Sequence, residues 1–343
     1  MGKENDAILS YLRDKERFAE LFNCFYFEGR EVIRPQDISE ASEVYHSPAG
    51  KKGGQAIRDI KKRLVSGACL KILAVEAQND ISYIMPWRIM EYDCLEYRNQ
   101  IRDVQRENQR LENQRRAEKG QKSVYKNAGE RLGKFRRTDR IAPVYTICLY
   151  HGVEEWDGPR CLKDMMDFGR EDTAEDREIW ERFFADYPMH LICASDFANA
   201  PAFKTSIGSV FALLPFRRDK ERLKKILETN PVYREMDEEA SITISILMEI
   251  DFIDKKEKFR EGEGYNMCQA IQEMVDEGRM EGLRKGRELG QREGRLEEQA
   301  AGIRILIQMN RDDGVEDNEI MFKLKKYYLL SEEEARNALK RNL

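Results

Sequence analysis

Residues 68 to 78, ACLKILAVEAQ, hold a nearly continuous apolar run that ends on a carboxylate and an amide, Glu76 and Gln78. A short apolar run bounded by turn signals suits a strand buried on both faces, which belongs at the centre of a sheet. Ser66-Gly67 is the turn signal before it, and residues 55 to 65, QAIRDIKKRLV, alternate imperfectly, so the spacing predicts a β-hairpin. With Ser66 and Gly67 as the turn, Val65 faces Ala68 and Asp59 faces Ala74. Side chains two apart in one strand share a face with their cross-strand partners, so Asp59, Glu76 and Gln78 project to one side. Asp59 and Glu76 are then diagonal neighbours roughly 7 Å apart at the backbone, near enough to converge on one ion. Two carboxylates form a hard oxygen site suited to Mg²⁺, with Gln78 one pleat onward to hold a water or a phosphate oxygen. A carboxylate ending a buried strand is costly unless a metal, a proton or a donor satisfies it, although an acid at a strand end is often simply exposed.

Around this hairpin the chain alternates in character. Residues 7 to 26 carry Ile8, Leu9, Leu12, Phe18, Leu21, Phe22 and Phe25 at helical spacing, which predicts one opening helix. Breakers follow at Pro35-Gln36-Asp37, at Ser47-Pro48-Ala49-Gly50 and at Gly53-Gly54. Residues 84 to 100 place Met85, Ile89, Tyr92 and Leu95 on one helix face, with Pro86 in the first turn and Tyr92 and Tyr97 as core or groove-wall aromatics. Residues 101 to 140 lose most apolar content and hold thirteen Lys or Arg against six Asp or Glu. This reads as a charged helical insertion, either a solvated arm or a DNA-contacting one. Strand character returns at 143 to 150 and at 189 to 194. His151 after the first of these either touches phosphate or packs at a turn on Trp156.

From about residue 215 the pattern is helical, dividing the chain into 1–215 and a helical C-terminal region, 216–343. Within it Gly278, Gly282, Gly286, Gly290 and Gly294 recur every four residues along a predicted helix over 276–300. Five helical glycines cost about 4 to 5 kcal/mol relative to alanine, so the segment either gains a closely packed partner helix, most economically a second copy, or is a flexible tether. Ser331-Glu332-Glu333-Glu334 is a capping box opening a last helix.

Several of these segments together resemble a known family. Asp59 followed after sixteen intervening residues by Glu76, within Val75-Glu76-Ala77-Gln78, resembles the motif of the PD-(D/E)XK nuclease superfamily. Asp14 to Asn23, Ile72 to Asp80, Tyr83 to Asp93 with its Met85-Pro86-Trp87-Arg88, and Pro143 to Gly152 with Trp156 narrow the resemblance to its recombination-promoting nuclease and transposase-like family. It covers roughly residues 1–200, and the Glu-Gly and Gly-Arg repeats of 277–297 look like that family's C-terminal tails. The resemblance implies an α/β fold, a PD-(D/E)XK-like mixed sheet flanked by helices with an α-helical C-terminal extension. It also implies a metal-dependent endonuclease that cuts DNA with low sequence specificity in recombination or in mobile elements. Asp59 and Glu76 match the two metal acids and Gln78 the superfamily lysine, while Arg58 stands where the formal motif has a non-ligating proline. Glu20 is a further helix acid by that match, with Glu16 an equal candidate. An amide brings a dipole where lysine brings charge, so the alternative is a weakly active or inactive nuclease-like protein that binds DNA or a partner and oligomerises through its C-terminal helix.

Composition bounds these readings. A net charge of −5 confines any nucleic-acid surface to a local patch. The seven cysteines stand singly with no CxxC pair, which points away from a zinc site or a disulfide framework and towards a reducing cytoplasm. With no apolar leader and no membrane-length apolar run, the chain is expected to be cytoplasmic and not membrane-bound. No Asp-Asp-Glu spacing beyond Glu76 supports a transposase proper.

Overall fold

The computed structural model describes residues 2–45, 56–67, 69–118, 121–169, 173–193 and 203–341. The breakers at 47–50 and 53–54 lie outside the described residues. Compact units span Met1–Gln272 and Glu273–Leu343. Residues 216–272, grouped on sequence with the C-terminal helices, thus belong to the sheet-bearing unit.

That unit is built on a five-stranded mixed sheet in the order β1 (Ile38–Glu40), β4 (Ile60–Ser66), β5 (Cys69–Gln78), β6 (Val144–Tyr150) and β7 (His190–Cys193). β2 (Val44–Tyr45) pairs with β3 (Ala56–Ile57) apart from it. β4 runs antiparallel to β1 and β5, whereas β6 and β7 run parallel to β5. As its apolar run requires, β5 is central and its residues Ile72 to Ala77 are buried. Ser66, however, is not a turn residue but pairs with Cys69, and Val65 pairs with Leu70. Gly67 adopts φ +60°, the left-handed region a tight hairpin turn needs. The expected pairing is therefore displaced by two residues, which leaves every side chain on its expected face.

The single opening helix is in fact two, α1 (Lys3–Leu12) and α2 (Lys15–Phe27). Asp14 divides them as an N-cap, accepting from the Glu16 and Arg17 backbone N–H at 3.1 and 3.0 Å. The apolar spacing runs through the break because both helices bury a stripe. Helix α3 (Met85–Ala117) begins with Pro86 in its first turn, packs against β6, and continues well past residue 100. α4 (Ala128–Gly133) and α5 (Ala174–Phe183) precede β7, and α6 (Ile207–Leu213), α7 (Lys220–Thr229) and α8 (Glu238–Leu247) follow it. α1 packs against both α8 and β5, which ties α8 to the first unit. A small hairpin, β8 (Arg260–Glu261) with β9 (Gly264–Tyr265), precedes α9 (Met267–Asp312).

The second unit contains most of α9 with α10 (Asp317–Tyr328) and α11 (Glu332–Arg341). Its core gathers Ile307, Ile320, Leu324, Ala335 and Leu339. The capping box forms, with the Ser331 N–H donating to Glu334 Oε2 at 2.8 Å and the Glu334 N–H donating to Ser331 Oγ at 3.3 Å. The glycine repeat is helical throughout, and a Cβ added at any of Gly278, Gly282, Gly286, Gly290 or Gly294 would meet open space. Gly302 differs, since a Cβ there would lie 2.3 Å from the Tyr328 hydroxyl oxygen. Among the described residues no helix is long and apolar enough to cross a membrane.

Candidate active site

β4 stops pairing at Ile60, opposite Val75, while β5 runs on to Gln78. Among the described residues the end of β5 thus has no strand partner on that side, and Asp59 caps it: the Ala77 N–H donates to its Oδ2 at 2.9 Å. The displaced register ends one residue short of Asp59, with Ile60 opposite Val75, so Asp59 is not the diagonal strand neighbour of Glu76 that was expected. The two acids are close enough that Asp59 is the second-largest influence on the Glu76 carboxyl, after burial.

Glu76 is fully buried, and among the described residues neither of its carboxylate oxygens has a hydrogen-bond partner. Burial first and the Asp59 charge second push its pKa up to about 8, against the opposing charges of Arg58 and Arg88. Burial also raises Asp59, opposed by the Ala77 N–H and the Arg88 charge and reinforced by Glu43 and Asp6. Two guanidinium groups face Glu76 without bonding to it, Arg58 Nε at 3.8 Å and an Arg88 Nη at 3.9 Å. Arg88 comes from the first turns of α3 and keeps a third of its side chain exposed.

Arg58, expected to be a bystander, is the largest fully buried side chain. Its Nη2 donates to Asp93 of α3 and its Nη1 to Thr146 Oγ1 of β6 at 2.9 Å. Thr146 Oγ1 donates on to Asp93 Oδ1 at 2.8 Å, and the Tyr187 hydroxyl donates to Asp93 Oδ2. The Tyr92 ring lies 5.6 Å from each of the Arg58 and Arg88 guanidinium centres, so this aromatic bridges two cations. Tyr97 accepts from the Val144 N–H at 3.2 Å, a structural contact. Sequence pattern misses the Arg58–Asp93 pair; its one signal is an acid, Asp93, beside Tyr92 on the apolar side of a helix.

Gln78 lies beyond Glu76, its Nε2 donating to the Ala77 carbonyl at 2.7 Å. Asn5 Nδ2 donates to that carbonyl at 3.3 Å, and Asn5 Oδ1 lies 2.5 Å from His151 Nε2. His151 is fully buried and burial pulls its pKa down to about 3, which removes it from contact with phosphate. Trp156 packs edge-on to Tyr150 instead. Glu20 is committed elsewhere: it accepts from the Lys204 and Thr205 N–H groups and the Thr205 hydroxyl. Its carboxylate braces the approach to α6; Glu16 is exposed.

Among the described residues no cluster of three or more His, Cys, Asp or Glu is placed to hold a metal ion. The acid pair nevertheless suits a hard divalent cation, which needs only one or two carboxylates and keeps several waters. The two unpartnered oxygens of Glu76 are the buried acceptors such an ion would satisfy.

The raised Glu76 carboxyl makes stability depend on pH. In chelator-containing buffer the unfolded chain loses this proton near 4.5, while the folded chain keeps it to about 8. Stability therefore falls as pH rises between those values, by on the order of 4 kcal/mol if the whole shift is expressed. Glu76→Gln should flatten that fall in urea unfolding followed from pH 5 to 9; parallel profiles for wild type and variant would contradict it.

Compared with known proteins, the chain matches no family model, no curated protein and no solved structure.

Proposed function

We propose that the chain is a divalent-metal-dependent DNA endonuclease of low sequence specificity, of the PD-(D/E)XK kind and related to recombination-promoting nucleases. The observation that carries this reading is a buried Glu76 whose two oxygens have no donor among the described residues, beside Asp59, which accepts from the Ala77 N–H. Asp59 and Glu76 would hold the ion, Mg²⁺ by donor hardness, and when bound it supplies neutralising charge at a phosphate and a more acidic water. The protein's own groups do the rest. Asp59 keeps its carboxylate in place by accepting from the Ala77 N–H. Arg88, partly exposed beside both acids, brings the positive charge that an amide at position 78 lacks. With its Nε2 spent on the Ala77 carbonyl, Gln78 offers its amide oxygen to orient water. Purified protein should nick supercoiled plasmid with Mg²⁺ and not with EDTA; no nicking under any divalent ion rejects the reading.

Gln78→Lys tests the amide directly. Restoring an ammonium beside the phosphate should preserve or raise nicking, and abolished cutting in a folded variant would assign the amide a specific role.

One observation favours the second reading, a nuclease-like interaction protein without activity: Arg58 and Arg88 already offset the Glu76 charge. Both readings include self-association through α9, where the open glycine stripe is accompanied by exposed Met280, Leu283, Leu289 and Leu296. Met267, Ala270 and Ile271 at the start of α9 belong to the first core, so a clean deletion removes 278–295, about five whole turns. Light scattering should show a dimer or larger for the full chain and a monomer for the deletion. A monomeric full chain at micromolar concentration favours the tether.

A further inference from the structure

Residues 121–140 are not a solvated extension of α3 but a segment folded back along it. Val124 and Tyr125 are buried, Gln105 Nε2 donates to the Gly133 carbonyl at 2.9 Å, and Asn108 Nδ2 donates to the Lys134 carbonyl at 3.0 Å. What organises the segment is its acids. Glu112 accepts from the Val124 N–H and the Ser123 hydroxyl, both at 2.9 Å. Glu130 accepts from the Lys126 and Arg137 N–H groups at 2.6 and 3.0 Å. Asp139 accepts from the Arg136 N–H at 2.7 Å and from Asn108 at 2.6 Å. All three carboxylates are buried.

This use of acids inside sorts charge by position. Glu130 and Asp139 are the only acids between 126 and 140, and both face inward. Lys126, Arg131, Lys134 and Arg137 are exposed and form no ion pair among the described residues. On α3 itself two exposed cations are paired, Arg106 with Asp103 at 3.1 Å and Arg110 with Glu107 at 2.5 Å. Exposed, unpaired cations concentrated in one folded-back segment of a chain of net charge −5 are a local attractor for polyanions. Its only large exposed apolar side chain is Leu132, 89% exposed. A protein interface needs an apolar centre, whereas phosphate contacts need only cations, so the patch fits a nucleic-acid backbone better than an acidic protein.

We propose that residues 126–140 are a phosphate-backbone contact surface for duplex DNA, made by Lys126, Arg131, Lys134 and Arg137. The choice of DNA rests on the function proposed above, but the contact is independent of cleavage. Asn108, where the segment docks, is twenty residues along α3 from Arg88, about 30 Å at 1.5 Å per residue. A duplex touching both the patch and the acid pair must then exceed about nine base pairs.

The test is fluorescence anisotropy of a labelled 30-base-pair duplex with the full chain in EDTA over a salt series. Arg131→Ala/Lys134→Ala/Arg137→Ala should weaken binding at least tenfold and lower the log–log salt slope by about three. Arg106→Ala/Arg110→Ala, on paired cations of the same arm, should change the slope by less than one unit. Thermal melts confirm that these surface variants stay folded. An unchanged slope in the triple variant, or no duplex binding by wild type, overturns the proposal. So does a triple-variant defect seen with poly-glutamate but not with duplex, which would assign the patch to an acidic protein. Duplex binding that depends on the patch in a protein that never nicks plasmid sinks the endonuclease reading while leaving the contact surface standing.

Discussion

Asp59→Asn and Glu76→Gln are each expected to reduce magnesium-dependent nicking by on the order of 10² to 10³-fold, because each removes one of the two carboxylates proposed to hold the ion. The conservative forms matter. Asparagine at 59 retains an oxygen able to accept from the Ala77 N–H, so the end of β5 stays capped while the charge is gone. Glutamine at 76 removes a buried anion that has no donors, so this variant should match or exceed wild-type stability above neutral pH. Loss of nicking with stability held or raised is a signature that unfolding cannot imitate. Nicking within threefold of wild type in either variant would remove that residue from the chemistry.

The largest stability effect should come from Arg58→Met. Arg58 lies wholly inside, with Asp93 and Thr146 as hydrogen-bond partners and Glu76 beside its Nε. Truncating it leaves Asp93 with only neutral hydroxyl donors, from Thr146 and Tyr187, and leaves Glu76 with only the more distant, partly solvated Arg88. Breaking a buried pair from one side costs about 3 to 5 kcal/mol, far more than the pair contributes against apolar replacements. Arg58→Met/Asp93→Asn should therefore recover part of the loss, since no unpaired charge remains at position 93. Urea midpoints at unchanged slope would measure both. A single-variant loss under 1 kcal/mol would show that Asp93 does not depend on Arg58.

The central hairpin was legible because it rests on period-two alternation, which survives a register error of two; Asp59 falls just outside β4 and turns its carboxylate to the Ala77 N–H, which alternation does not describe. The error itself arose at Ser66-Gly67-Ala68, where either adjacent dipeptide can make the turn and only the φ of Gly67 with its Ser66–Cys69 pairing decides. The break at Asp14 was readable as a cap but was masked by the continuous apolar stripe. Arg58 was not legible, since nothing local to a charged residue before a strand says that an acid 35 positions on will meet it inside. His151 was hidden in the same way by Asn5, which is distant in sequence. The folded-back segment was obscured for a different reason: its interior is organised by Asn108, Glu112, Glu130 and Asp139, and hydropathy cannot distinguish such buried hydrogen-bond hubs from solvated charge.

The most direct test of the account is a crystal soaked in Mn²⁺ and measured at the manganese edge. One anomalous difference peak touching carboxylate oxygens of both Asp59 and Glu76, absent in a Glu76→Gln crystal, is the predicted result. A saturating soak that leaves no peak there, with Glu76 still held between Arg58 and Arg88, would contradict it.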